Sequence, residues 1–212
     1  MSTLLDIHVL PSGKRSRTRA VRESFLEAYR EANDGHRIIE RDLVADHAEL
    51  PAFDEWDIQS RFEMLYGEGT LDAMGAERWE ALSQATDQLH CADVVLISAP
   101  MWNFSVPWHL KRWIDAVMQP RLTFELRGGE LVGLLSGRKA VVIVTRDGIY
   151  PPGTEQGALD FQLPYLRTVL GFMGLDPIHE IVAEPMAFGG AEVADHAFEE
   201  AVAAARALGS SI

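Results

Sequence analysis

Apolar residues in this chain gather in five short runs: LLDIHVL (4–10), HRIIERDL (36–43), DVVLISA (93–99), KAVVIVT (139–145) and PIHEIVAE (177–184). The first, third and fourth carry apolar residues on both alternating faces. That is the pattern of strands covered on both sides in a parallel sheet. Between the runs the apolar residues return at helical spacing. Residues 17–32 place Val21, Phe25, Leu26 and Tyr29 on one stripe, residues 77–91 align Trp79, Leu82, Ala85, Thr86 and Leu89, and residues 107–118 align Leu110, Trp113, Ile114 and Val117. Two more helices are predicted near 158–173 and at 191–208, with Gly209 as a stop signal.

Strands alternating with helices predict an α/β fold. Over 212 residues this suits a single domain, 1–212, with a five-stranded parallel sheet in the order 2-1-3-4-5 between two helical layers. Ligands of such sheets sit outside the carboxyl ends of the strands, at the switch point beside the first and third. Three loops then matter: those after Leu10, after Ser98 and after Thr145. The stretch 44–76, with Pro51, Gly67, Gly69 and Gly75, reads as a long excursion around one short helix at about 55–66. It would pack on a partner or cover a site.

Composition narrows the partners. Apolar residues at 47% and charged residues at 24% are ordinary globular values. A net charge of -13 argues against nucleic acid, and the one dense basic run, GKRSRTR at 13–19, is short. No apolar stretch approaches the ~20 residues needed to span a bilayer, so no membrane partner is expected. The N-terminus runs from an apolar segment into basic residues, the reverse of a signal peptide, and a cytoplasmic location is expected. The single cysteine, Cys91, allows no intramolecular disulfide and fits a reducing compartment. It ends a helical pattern, which predicts buried packing. The seven histidines show no ligand spacing, so no metal is expected.

The loops carry the chemistry. In PSGKRSRT (11–18), hydroxyls and free backbone N–H groups precede a helix, which makes an anion site. An ordinary serine N-cap with solvated basic residues reads equally well from these residues alone. Neither a P-loop nor a GxGxxG pattern is present. In SAPMWNFSVPW (98–108), Met101, Trp102 and Phe104 are large apolar groups in a turn, with Asn103 among them and Pro107 opening the next helix. A small satellite core accounts for part of this. Asn103 needs polar partners in apolar surroundings, and a flat ring with a hydrogen-bonding edge, such as isoalloxazine, meets both needs. In TRDGIYPPG (145–153), Gly148 permits positive φ or close backbone approach, and Pro151-Pro152 stiffens the chain.

The runs APMWNFSVPWHLKRWID, LTF (122–124), GLLSGRKAVVIVTRDGIY and LPYLRTVLGFMG (163–174) resemble the FMN-dependent NADH-azoreductases, flavodoxin-like NAD(P)H:quinone oxidoreductases, and the similarity covers nearly the whole chain. The resemblance implies a flavodoxin-like homodimer with tightly bound FMN and NADH or NADPH as donor. Quinones and azo compounds would be the acceptors, served by way of the flavin N5 in a ping-pong reaction. Carried over by position, Ser12, Ser16, Arg17 and Thr18 would hold the FMN phosphate. Pro100, Met101, Trp102, Asn103 and Phe104 would line the ring, and Thr145, Arg146, Asp147 and Gly148 would border its pyrimidine end. Asn103 and Tyr150 are the catalytic candidates. Two departures from the family pattern stand out: Asp147 occupies a turn position where glycine is common, and Tyr150 stands where histidine is frequent. A single-electron carrier of the flavodoxin kind, or an NAD(P)H-dependent FMN reductase, is the alternative.

Overall fold

A computed structural model describes residues 2–46 and 53–212. The 47–52 part of the predicted excursion lies outside the described residues. The chain forms β1 (Thr3–His8), α1 (Arg17–Ala32), β2 (Arg37–Asp42), α2 (Glu55–Tyr66), α3 (Ala73–Cys91), β3 (Val94–Pro100) and α4 (Trp108–Val117). It continues through β4 (Phe124–Arg127), β5 (Glu130–Gly133), β6 (Lys139–Thr145), α5 (Leu163–Phe172), β7 (Ile178–Ala183) and α6 (Ala191–Gly209). The main sheet is parallel, in the order β2-β1-β3-β6-β7. That is the predicted 2-1-3-4-5 order, renumbered because the hairpin β4–β5 intervenes in sequence.

Strand alternation splits the core in two. Leu5, Ile7, Val9, Val95, Ile97, Val142 and Val144 face α3, α4 and α5, where Leu89, Leu110, Ile114 and Leu166 meet them. Leu4, Val94, Leu96, Val141 and Ile143 face α1 and α6, against Val21, Phe25, Leu26, Tyr29, Ala201 and Ala205. The predicted helix stripes are therefore the buried ones. Each large aliphatic side chain removed from water contributes roughly 1.5–3 kcal/mol, and these two layers dominate the stability.

Local differences have physical causes. Gly209 is the last residue of α6 rather than a stop beyond it, and a Cβ there would come within 2.4 Å of the Phe25 carbonyl oxygen. Its smallness lets α6 press against α1. Cys91 is exposed, because the last turn of α3 rotates it away from the Leu89 side. The hairpin β4–β5 was not foreseen. Its turn, Gly128-Gly129, holds φ of 62° and 91°, a two-residue hairpin signal that the mixed polarity of FELR and ELVG obscured. Phe124 is buried edge-to-face on Phe172 at 4.9 Å, so this pair packs the hairpin onto the domain.

Candidate functional site

Because every strand of the main sheet runs the same way, His8, Asp42, Pro100, Thr145 and Ala183 all end at one edge. The three loops singled out by sequence emerge there together.

The first loop opens with Gly13 at φ 57°, in space that no neighbouring atom fills, and makes one 3-10 turn over Gly13–Arg15. Ser16 caps α1: its Oγ accepts from the Arg19 amide at 3.2 Å. The amides of Arg17 and Thr18, in the first turn, have no intrahelical acceptor and carry the positive end of the helix dipole. Ser12 is exposed beside them. The Arg17 side chain goes elsewhere. Its guanidinium donates to the carbonyls of Met186 and Ala194, both at 3.3 Å, and pairs with Asp195 at 3.0 Å, tying α1 to α6. The Thr18 hydroxyl is buried, 2.6 Å from that of Thr145.

The second loop is a tight reversal. Trp102 and Ser105 exchange two backbone hydrogen bonds of 2.9 Å each, with Asn103 at φ 47° and Phe104 at φ 68° between them. Two positive φ values define a type I′ turn, which favours asparagine first and glycine second. Phenylalanine in the second place is strained by about 1–2 kcal/mol. Strain of this kind concentrates at working sites, and here it holds the Phe104 ring outward, 46% exposed, beside Trp102 at 38%. The Met101 amide donates to the Thr145 carbonyl at 2.9 Å, extending the β3–β6 pairing into the loops. Pro107 sits one residue before α4, at its N-cap.

The third loop leaves β6 at Thr145. Arg146 is buried, ion-paired to Asp160 at 3.0 Å and to Glu184 at 3.3 Å, with its Cζ 5.5 Å from the Tyr150 ring centre. Only its backbone is left for the site. Asp147 is exposed, and its carbonyl accepts from the Phe188 amide at 3.1 Å. Gly148 does not adopt positive φ, and a Cβ there would make ordinary contact with the Tyr150 hydroxyl at 3.4 Å, so neither reason for a glycine expected from the sequence applies.

Beneath the first loop lies a charged cluster on the α1 face of the sheet. Arg22 grips Asp6 with two nitrogens and Glu40 with a 2.8 Å bond, and His8 Nε2 lies 2.9 Å from the same Glu40. Burial pushes the Glu40 carboxyl up, but the His8 hydrogen bond and the Arg22 charge outweigh it and hold it below its ordinary value. No reading of the sequence had flagged this cluster. Its signal was polar Asp6 and His8 at alternate positions of an otherwise apolar strand.

Two hollows flank the second loop on its α4 and α5 sides, of about 520 Å³ (with Trp102, Asn103, Trp108 and Arg112) and about 370 Å³ (with Lys111, Phe161 and Tyr165). Neither includes a residue of the first or third loop. Among the described residues no group of three or more His, Cys, Asp or Glu could hold a metal ion. No described helix is long and apolar enough to cross a membrane.

The edge therefore offers a helix start with unpaired amides and room around Gly13, an outward pair of aromatic rings, and backbone groups at Thr145–Gly148. These suit a molecule with a charged end and a flat ring. A family model described as "Flavodoxin-like fold" matches residues 2–208. The FMN-dependent NADH:quinone oxidoreductase of Nitratidesulfovibrio vulgaris (strain Hildenborough) is 39% identical over 209 residues, covering 98% of both chains. The FMN-dependent NAD(P)H:quinone oxidoreductase 1 of Pseudomonas aeruginosa is 38% identical over 201 residues, covering 92% of each. Among solved structures, an FMN-dependent NADH-azoreductase from Bacillus anthracis str. Ames Ancestor, in complex with FMN, superposes with a TM-score of 0.83 at 27% identity, over 99% of this chain and 100% of that one. With both its fold and its sequence matched end to end, the chain belongs to the flavodoxin-like family of FMN-dependent NADH:quinone oxidoreductases and azoreductases.

Proposed function

We propose that this protein binds FMN at the three-loop edge and uses NADH or NADPH to reduce quinones and azo compounds by two electrons. The observation that carries the reading is the strained Trp102–Ser105 turn, locked to Thr145 by the Met101 amide, at the sheet edge where α1 begins. It builds a flat apolar wall within reach of an anion site, in a chain whose relatives are named for FMN, NADH and quinones.

FMN, held by these residues, would supply hydride chemistry at N5 and a ping-pong exchange of two electrons between nicotinamide and acceptor. The protein's part is binding and electrostatics. The Arg17 and Thr18 amides, with the Ser12 and Ser16 hydroxyls, would hold the phosphate, each charge-assisted bond being stronger than a neutral one. Arg17 would serve through its backbone, since its guanidinium is engaged by α6. Met101, Trp102 and Phe104 would cover the ring and exclude water. Asn103, with backbone donors of the 147–148 turn, would stabilise charge gathering at the polar edge. Tyr150, whose hydroxyl lies beside Gly148, would shape the acceptor site and hold a proton for the product.

The wall is open to solvent on one side, which supports a homodimer whose second subunit closes the site. Exposed Ile58, Phe62 and Tyr66, spaced four apart on α2, form an apolar stripe suited to such a contact, while the helix buries polar Asp57 and Ser60. An electron carrier of the flavodoxin kind has no use for a nicotinamide site, and an FMN reductase releases its flavin. Steady NADH oxidation with a quinone and with an azo dye, by protein whose yellow colour survives gel filtration, is the expected result. Loss of the flavin on the column, or turnover only with free FMN, would favour the reductase; negligible NADH oxidation would favour the carrier.

A further inference from the structure

Arg146 stands one residue beyond Thr145, 2% exposed, and its three nitrogens reach three separate acceptors. Nε donates to Gln162 Oε1 at 3.3 Å, Nη2 to Asp160 at 3.0 Å and Nη1 to Glu184 at 3.3 Å. Two of the three acceptors lead on to the second loop. Gln162, fully buried, donates from Nε2 to the Pro100 carbonyl at 3.0 Å, immediately before Met101. Asp160 Oδ1 accepts the amides of Gln162 and Leu163 and so starts α5. Between them the Phe161 amide donates to the Phe104 carbonyl at 2.9 Å, at the strained end of the turn. Non-glycine residues stay in the left-handed region only when their surroundings over-determine them. This network supplies that determination.

We propose that Arg146 and Gln162 are positioning residues, a buried bracket that sets the Met101–Ser105 wall against the third loop before any ligand arrives. The bracket's existence is independent of the flavin; its purpose rests on the proposed function. Arg146 acts through Gln162 and Asp160, and its charge is matched inside the protein by two carboxylates rather than turned toward a ligand. Preforming the slot spares the ligand the cost of ordering it.

Removing Arg146 would strand two shielded carboxylates and could prevent folding. Gln162 therefore carries the test. Gln162→Met keeps the length and loses both hydrogen bonds; Gln162→Glu keeps the acceptor for Arg146 and loses the donor to Pro100. Hydrogen exchange of the full-length apoprotein should show the amides of Met101, Trp102, Ser105 and Phe161 opening about fivefold faster in both variants, with the central residues of β3 and β6 unchanged. FMN titration of the same proteins should show weaker binding by a similar factor and shifted visible absorption bands of the bound flavin. Unchanged exchange in the turn overturns the bracket. So does uniformly faster exchange through the sheet, which marks a general stability role, while a loosened turn that leaves FMN affinity and spectrum unaltered overturns its purpose of preforming the slot. A loosened turn in a protein whose wild type binds no FMN supports the bracket and sinks the flavin reading instead.

Discussion

The hydroxyl of Thr18, in the first turn of α1, lies 2.6 Å from the hydroxyl of Thr145, where β6 gives way to the third loop. The helix end with free amides is thereby fixed to the strand that also receives the Met101 amide. One buried pair joins the start of α1 to the end of β6, two sides of the proposed FMN site. Thr18→Val leaves a buried Thr145 hydroxyl without its partner and should cost about 1–3 kcal/mol in urea unfolding of the apoprotein. The Thr18→Val, Thr145→Val double variant should recover part of that loss, since no polar atom is then stranded. A double variant whose loss equals the sum of the two single losses would show that the two hydroxyls do not interact.

Phe104 tests the strained turn. Phe104→Gly provides the residue that a type I′ turn prefers, removing about 1–2 kcal/mol of strain while adding roughly 0.5–1 kcal/mol of chain entropy. The apoprotein should keep its melting temperature within a few degrees. The rise in melting temperature on adding FMN should shrink, because an aromatic face worth about 0.5–1.5 kcal/mol is gone. An undiminished FMN-induced rise would remove Phe104 from the ring wall.

Asp147 bears on the redox balance. Its carboxylate is exposed at the turn expected to border the pyrimidine end, where negative charge on the reduced ring would meet it. Asp147→Gly should raise the midpoint potential of bound flavin, by on the order of 10–30 mV at solvent-screened distances for a two-electron couple. Potentiometric titration reads this directly. No upward shift means that Asp147 stands too far from the ring or is screened by water.

How far the sequence carries this account depends on the kind of feature. The strands of the main sheet were legible because apolar runs such as DVVLISA and KAVVIVT can only be buried on both faces. The helix stripes followed from spacing alone. Side-chain direction was not legible. Arg17 and Arg146 both stand where a ligand would be expected, yet the Arg17 guanidinium lies along the surface to Asp195 of α6 and that of Arg146 turns inward to Asp160 and Glu184, partners distant in sequence. The fate of Cys91 hinged on the rotation of one helix end. The left-handed backbone of Phe104 was hidden for a similar reason, since nothing local asks a phenylalanine to adopt it.

The buried cluster under the first loop has a pH signature. The Glu40 carboxyl is held below its ordinary value by His8 and Arg22. Its stabilising contribution is therefore full above the ordinary glutamate range and is lost as pH falls through the lowered folded value. Glu40→Gln should flatten that part of the acid limb in unfolding curves recorded from neutral pH downward. An acid limb of the same steepness in the variant would place the acid sensitivity elsewhere.

The central claim, a flavin held at this edge and reduced by a nicotinamide, is tested most directly by one anaerobic titration. The FMN-reconstituted protein, freed of excess flavin, is followed in its visible flavin band while NADH or NADPH is added and then a quinone. The account predicts loss of the band with one equivalent of nicotinamide and its full return with one equivalent of quinone. A protein that retains no flavin, or whose bound flavin neither nicotinamide bleaches, would contradict it.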